Sequence, residues 1–216
     1  MKQLDVNSLK EEAKAFSVRE SNYNESSQFG VTDGKAVGTY LEQKFQRSLA
    51  EKYTYSKGNA AKGIDFPELD VDIKVTSIKQ PQSSCPYRSA RQKIYGLGYS
   101  LLVFVYEKTD DDKSRTSQLN IRHTVFVKAA LTADFQMTSG LRKILDNHPN
   151  KDDILAFMQD RLLPVDEMQA EALAEEILRD PPPIGYLTIS NALQWRLQYS
   201  RVIEEAGRID GLSRLV

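Results

Sequence analysis

Residues 63–77 read GIDFPELDVDIKVTS, and the parsing of this stretch decides the fold. From Asp70 onward apolar and polar residues alternate, so Val71, Ile73 and Val75 fall on one side of an extended strand and Asp70, Asp72, Lys74 and Thr76 on the other. Pro67 and Glu68 interrupt the apolar pattern just upstream, and a turn there sets Asp65 opposite Asp72 across a tight hairpin. Two carboxylates and a lysine then converge. Hard oxygen ligands of this kind suit a divalent cation, and an ammonium group beside them suits a place where negative charge builds up on a phosphate.

Gly63-Ile64-Asp65 followed by Asp72-Ile73-Lys74 resembles the signature of the PD-(D/E)XK nuclease superfamily, and within it the type II restriction endonucleases. In pattern the resemblance runs from Gly34 to Val127. It implies a Mg²⁺-dependent endonuclease acting on double-stranded DNA, with Asp65 and Asp72 holding the metal, Lys74 assisting the attacking water, and a 5′ phosphate as product. The helix before the hairpin often donates a further carboxylate in that superfamily, and Glu42 matches by position. The chain departs from the pattern in lacking a proline before Asp65, in using Asp at 72 where Glu is commoner, and in its short spacer. Glu68 and Asp70 therefore stand as substitutes for Asp65.

An acid, any residue, then lysine recurs at Glu12/Lys14, Asp33/Lys35, Glu42/Lys44 and Asp111/Lys113. Glu12 and Glu42 lie in helical patterns, where residues two apart do not face each other, and Asp111 lies in a polar loop. Only Asp72 falls on a strand with a second acid nearby. The bland reading is a solvated strand face with a surface ion pair.

The 216 residues, 40% hydrophobic, allow one full core, or a core with an appendage. One cysteine permits no internal disulfide, and two histidines build no closed zinc site. No apolar run approaches membrane-spanning length and the N-terminal stretch does not look like a secretory signal, which together suggest a cytoplasmic protein. The net charge of −1 is unlike that of proteins that coat nucleic acid. Charge is unevenly spread, however. From Ile73 to Tyr106 there is no Asp or Glu, while Lys74, Lys79, Arg88, Arg91 and Lys93 all occur; with Gln82 and Gln92, the residues from Lys79 to Lys93 form a candidate DNA-binding set. Acids gather at 152–180, a segment expected to face away from a polyanion.

Along the chain, Ser8 and Glu11 suggest a capping box for a first helix running to about Val18, and Asp33 or Thr32 caps a second in which Val37, Leu41, Phe45 and Leu49 recur every four residues. After the hairpin comes a proline-bearing loop, then a basic helix ended by Gly96. YSLLVFVYEK reads as a central strand buried on both faces. A charged, disordered-looking insert from Thr109 to Ser117 precedes an alternating strand in which His123 is a strand residue and not a base. These elements imply an α/β class: a central mixed sheet of about four to five strands flanked by helices. Residues 1–130 form the expected core, and 131–216 a helical region whose last segment, with Thr188 or Ser190 as cap and Ala192, Leu197, Val202 and Ile203 within it, reads either as a helix-turn-helix or as one long helix. Three functions remain open: a restriction endonuclease, a structure-specific or repair nuclease with the same site, and a DNA-binding regulator whose C-terminal helices do the reading. Cutting both strands of a palindrome favours a homodimer.

Overall fold

A computed structural model describes residues 1–56, 58, 63–85, 88–190 and 195–216. In chain order the elements are β1 (Lys2–Gln3), α1 (Val6–Ser21), β2 (Asn24–Glu25), α2 (Gly34–Ala50), β3 (Tyr53–Thr54), β4 (Val71–Ser77), β5 (Gln82–Cys85) and α3 (Arg91–Tyr95). There follow β6 (Ser100–Asp111), β7 (Thr116–Val127), α4 (Phe135–Leu145), α5 (Lys151–Asp160), α6 (Glu167–Arg179), β8 (Thr188–Ile189), β9 (Trp195–Gln198), α7 (Ser200–Glu205) and β10 (Leu212–Arg214). The protein is α/β. The contacts divide it into two units, one of Met1–Ser83, Ser100–Val127 and Val202–Val216, the other of Ser84–Tyr99 and Lys128–Arg201.

The first unit is built on a mixed five-stranded sheet in the order β10-β7-β6-β4, with β2 also paired to β7. β4 runs parallel to β6, with Asp72 opposite Leu101 and Lys74 opposite Val103, and β6 runs antiparallel to β7. Leu101 through Tyr106 are all buried, as a continuous apolar run predicts for a strand covered on both faces. The amphipathic stripes of α1 and α2 meet one face of this sheet: Phe16, Phe45 and Phe104 pack ring against ring with centroids 5.1–5.8 Å apart. Val71 and Ile73 join that cluster, and Val75 packs against it partly buried. The alternation read from 70–77 thus places these three on the core side.

Local chemistry sets several boundaries differently from expectation. α1 is capped by Asp5, whose carboxylate accepts from the Ser8 amide at 2.7 Å, so the Ser8/Glu11 capping box does not form. The charged insert is an ordered hairpin tip: β6 continues to Asp111, whose carboxylate accepts from the Lys113 amide and the Ser114 hydroxyl and so closes the turn. β2 and β10, each too short to carry a periodic signal, extend the sheet along β7.

The second unit has its own core, in which Ile94, Met137, Leu141, Ile154, Met158 and Ile177 come from α3, α4, α5 and α6. Asp134 organises it. One oxygen caps α4 through the Met137 amide at 2.8 Å and the other accepts from the Ile189 amide at 2.7 Å. The last segment is not a helix-turn-helix or a single helix. Residues 188–189 and 195–198 pair as antiparallel strands, and α7 has only six residues. In Trp195-Arg196-Leu197-Gln198 burial alternates strictly, the period of a strand. Ala192 lies outside the described residues.

Candidate active site

The carboxylates come together through two pieces of local geometry in the first unit. Phe66 and Val71 exchange backbone hydrogen bonds, 2.9 and 3.2 Å, across the turn at 67–70, which puts Asp65 opposite Asp72. β4 is the edge of its sheet, so an amide on its outer side needs a partner. The Ile73 amide finds it in Asp65 Oδ2 at 2.8 Å, which draws the carboxylate onto the strand. Gly38, Glu42 and Gln46 repeat every fourth residue along one face of α2. At Gly38 a Cβ would lie 3.6 Å from the Val75 carbonyl oxygen, so the helix runs close to β4 there. Two turns on, Gln46 Nε2 donates to Asp65 Oδ1 at 3.2 Å.

Asp72 is buried, and Oδ2 meets the Lys74 Nζ at 2.6 Å from the same side of the strand. Burial raises the Asp72 carboxyl to about 6 against the pull of Lys74, with the hydrogen-bonded carboxyl of Asp65 adding to the rise. Burial also raises Asp65, as the charge on Glu42 does. Glu42 is raised in turn by burial and by Asp72. Three carboxylates thus share one space with one ammonium, a negative imbalance that a cation or protons must relieve.

Does this set fit a metal ion? Among the described residues, no three carboxylate, histidine or cysteine side chains converge on one point as a closed cage. The donor chemistry nevertheless suits a hard divalent cation. Asp72 Oδ2 is buried and meets the Lys74 ammonium at 2.6 Å, but a carboxylate oxygen carries more than one lone pair, so it can still face a cation among oxygen donors of mutually raised pKa. These residues fit the group.

Over residues 3–214 the chain matches the family described as Type II restriction enzyme NspV. A curated protein described as Type II restriction enzyme NspV, from Nostoc sp. (strain ATCC 29411 / PCC 7524), is 64% identical over 209 residues, covering 97% of this chain and 95% of that protein. The chain belongs to the NspV family of type II restriction enzymes. No solved structure matches it.

Within this NspV-family chain the alternatives to Asp65 lie elsewhere. Glu68 accepts from Gln3 and from Ser56; Asp70, expected on the polar strand face, instead precedes β4 as an exposed turn residue with φ +50°, its carbonyl accepting from the Ser100 amide. Lys79 is exposed in the first unit, and the Gln82 amide bonds to Thr76 Oγ1 at 3.0 Å. The remaining residues of the set expected to bind DNA are in the second unit. Arg88 is exposed, but the Arg91 guanidinium is held by Glu176 at 2.6–3.1 Å and stacks over the Tyr95 ring. Gln92 donates to the Leu97 carbonyl. Lys93 is buried, and burial lowers its pKa against the charge of Asp134. The acidic segment therefore does not face away from the basic one: α6 supplies the partner of Arg91. Gln46 and Tyr55, which brace Asp65, carried no sequence signal, because a glutamine one turn past a glutamate is ordinary on any helix.

Proposed function

We propose that this NspV-family enzyme is a Mg²⁺-dependent endonuclease of the PD-(D/E)XK superfamily, cleaving both strands of specific duplex DNA as a homodimer, with Asp65, Asp72, Lys74 and Glu42 as its active site. The observation that carries this reading is the convergence of Asp65 on Asp72 and Lys74 of the edge strand, with Asp72 buried and paired to Lys74 at 2.6 Å and all three carboxyls of the cluster pushed up in pKa. No helix among the described residues is long and apolar enough to cross a membrane.

In hydrolysis a water oxygen bonds to phosphorus, the bond to the 3′ oxygen breaks, and a 5′ phosphate and a 3′ hydroxyl result. Asp65 and Asp72, with Glu42 close by, would hold Mg²⁺, which when bound would supply Lewis acidity toward the phosphate and a lowered pKa for bound water. The Ile73 amide and Gln46 fix both oxygens of Asp65, so the first acid is oriented before substrate arrives. The Lys74 ammonium holds Asp72 ionised and presents positive charge where the phosphoryl oxygens gain negative charge. Burial strengthens both effects by keeping the local dielectric low. Lys79 and Arg88, both exposed, are the members of the basic set proposed to meet DNA phosphates.

Incubation of the purified protein with plasmid DNA, with Mg²⁺ and with EDTA, tests the reading. Discrete fragments with 5′-phosphate ends that vanish with EDTA are expected. Cutting that persists in EDTA, or that persists in Asp72→Asn, overturns it.

A further inference from the structure

We infer that Gln46 is a positioning residue for the reaction, acting through Asp65 to set the orientation in which that carboxylate meets the metal. The inference rests on the assignment of Asp65 to the active site proposed above.

Asp65 lies in no helix or strand, so the backbone alone does not hold its carboxylate. The Ile73 amide anchors Oδ2 at 2.8 Å, and the neighbouring Asp72 and Glu42 carboxyls hold Asp65 only through shared protons that a cation would displace, which would leave the group able to pivot about the Ile73 bond. Gln46 Nε2, on Oδ1 at 3.2 Å, removes the pivot. The helix backbone at Gln46 is braced as well: the Gln46 main-chain carbonyl accepts from the Tyr55 hydroxyl at 2.9 Å, and the Tyr55 ring packs on Phe66, the neighbour of Asp65, with centroids 5.3 Å apart. The helix that carries Glu42 is thereby locked to the segment that carries Asp65.

The chemistry of the side chain matters as much as its place. A lysine or arginine at 46 would orient Asp65 but repel a cation, and a glutamate would add a fourth negative group. A neutral amide donates a hydrogen bond to an ionised carboxylate and adds no charge. Such outer partners of metal-holding groups typically contribute 10–100-fold in metal affinity.

The test is Mn²⁺ binding to the full chain without DNA, read by electron paramagnetic resonance, alongside thermal unfolding and cleavage rate against Mg²⁺ concentration. Gln46→Met keeps length and removes the donor. Its Mn²⁺ dissociation constant should rise about tenfold. Cleavage should then need correspondingly more Mg²⁺ to reach a plateau near that of the unaltered protein. Unchanged Mn²⁺ affinity in this variant overturns the inference. Gln46→Glu is the second variant, informative even if Gln46→Met does not fold. A carboxylate there faces Asp65 Oδ1 across a shared proton that the cation must displace, so Mn²⁺ binding should become steeper in pH near neutrality; a profile parallel to the unaltered protein's overturns the inference. Asp65→Asn separates the two levels. If it binds Mn²⁺ and cleaves normally, the active-site assignment falls; if it loses both while Gln46→Met keeps its affinity, only the positioning role falls.

Discussion

The Lys74 ammonium lies 2.6 Å from Asp72 Oδ2, two residues back on the same strand, with the lysine side chain 19% and the aspartate side chain 5% exposed. Residues i and i+2 share a strand face, so the contact follows from the β4 backbone itself. Burial makes it more than a surface ion pair. Removing Lys74 leaves the Asp72 charge in a poorly solvated place beside Asp65 and Glu42, where an unpaired charge is expensive.

Lys74→Ala and Asp72→Asn should each lower the cleavage rate by at least about 10²–10³, the cost of removing one preorganised electrostatic group. Asp72→Asn should keep its fold, since shape and burial are unchanged, and its DNA binding without metal should equal or exceed that of the unaltered protein because one negative charge near the phosphate is gone. Gel shifts and fragment assays read both. Near-normal cutting by either variant would sink the assignment.

The raised Asp72 carboxyl gives a pH dependence of definite sign. Its pKa rises from 3.8 in the unfolded chain to about 6 in the fold, so between those values the folded state binds the proton more tightly. Stability without metal should therefore be fully present below about pH 4 and decline as pH rises through about 6. Thermal unfolding across that window should show the decline, and Asp72→Asn should flatten it. Because protons and metal compete for the same oxygens, cleavage should fall as pH drops below about 6 and be partly restored by more Mg²⁺.

Ile73 is 2% exposed and points into the α1–α2 cluster while its amide anchors Asp65. Ile73→Ala should cost about 2–4 kcal/mol from lost buried methyls and the cavity left behind. Denaturant unfolding measures this directly. A negligible shift in midpoint would mean that the strand faces are assigned the wrong way round.

Arg91 is already neutralised by Glu176 in the second unit. Arg91→Ala should thus change the slope of log affinity against log salt by well under one unit, and Lys79→Ala, which removes an exposed cation of the first unit, should change it by more. A double-mutant cycle of Arg91→Ala with Glu176→Ala should give a coupling of about 0.2–1 kcal/mol, typical of an exposed pair. A full unit of lost salt slope on Arg91→Ala would show that DNA displaces Glu176.

Much of this protein was legible in one dimension because periodicity reports one-sided burial. The four-residue repeat of Val37, Leu41, Phe45 and Leu49 marked α2, the unbroken run from Leu101 marked the doubly covered strand, and the alternation from Val71 marked the strand that carries Asp72 and Lys74. A strand fixes which residues share a face, so the pairing of Asp72 with Lys74 was contained in the sequence. So was the approach of Asp65, since a tight turn leaves few registers.

Other features depend on partners distant in the chain, which local pattern does not encode. Clusters of charge along a sequence do not fix their neighbours in space, and Glu176 meets Arg91 across 85 residues. A strand as short as β10 holds no periodic signal, and its hydrogen bonds come from β7. Asp65 acquires its second donor from Gln46, 19 residues away on α2, only once helix and sheet have packed. The sequence by itself determined which groups could do the chemistry; tertiary packing decided which were oriented, which were buried and which were already spent on one another, because those properties depend on distances in space.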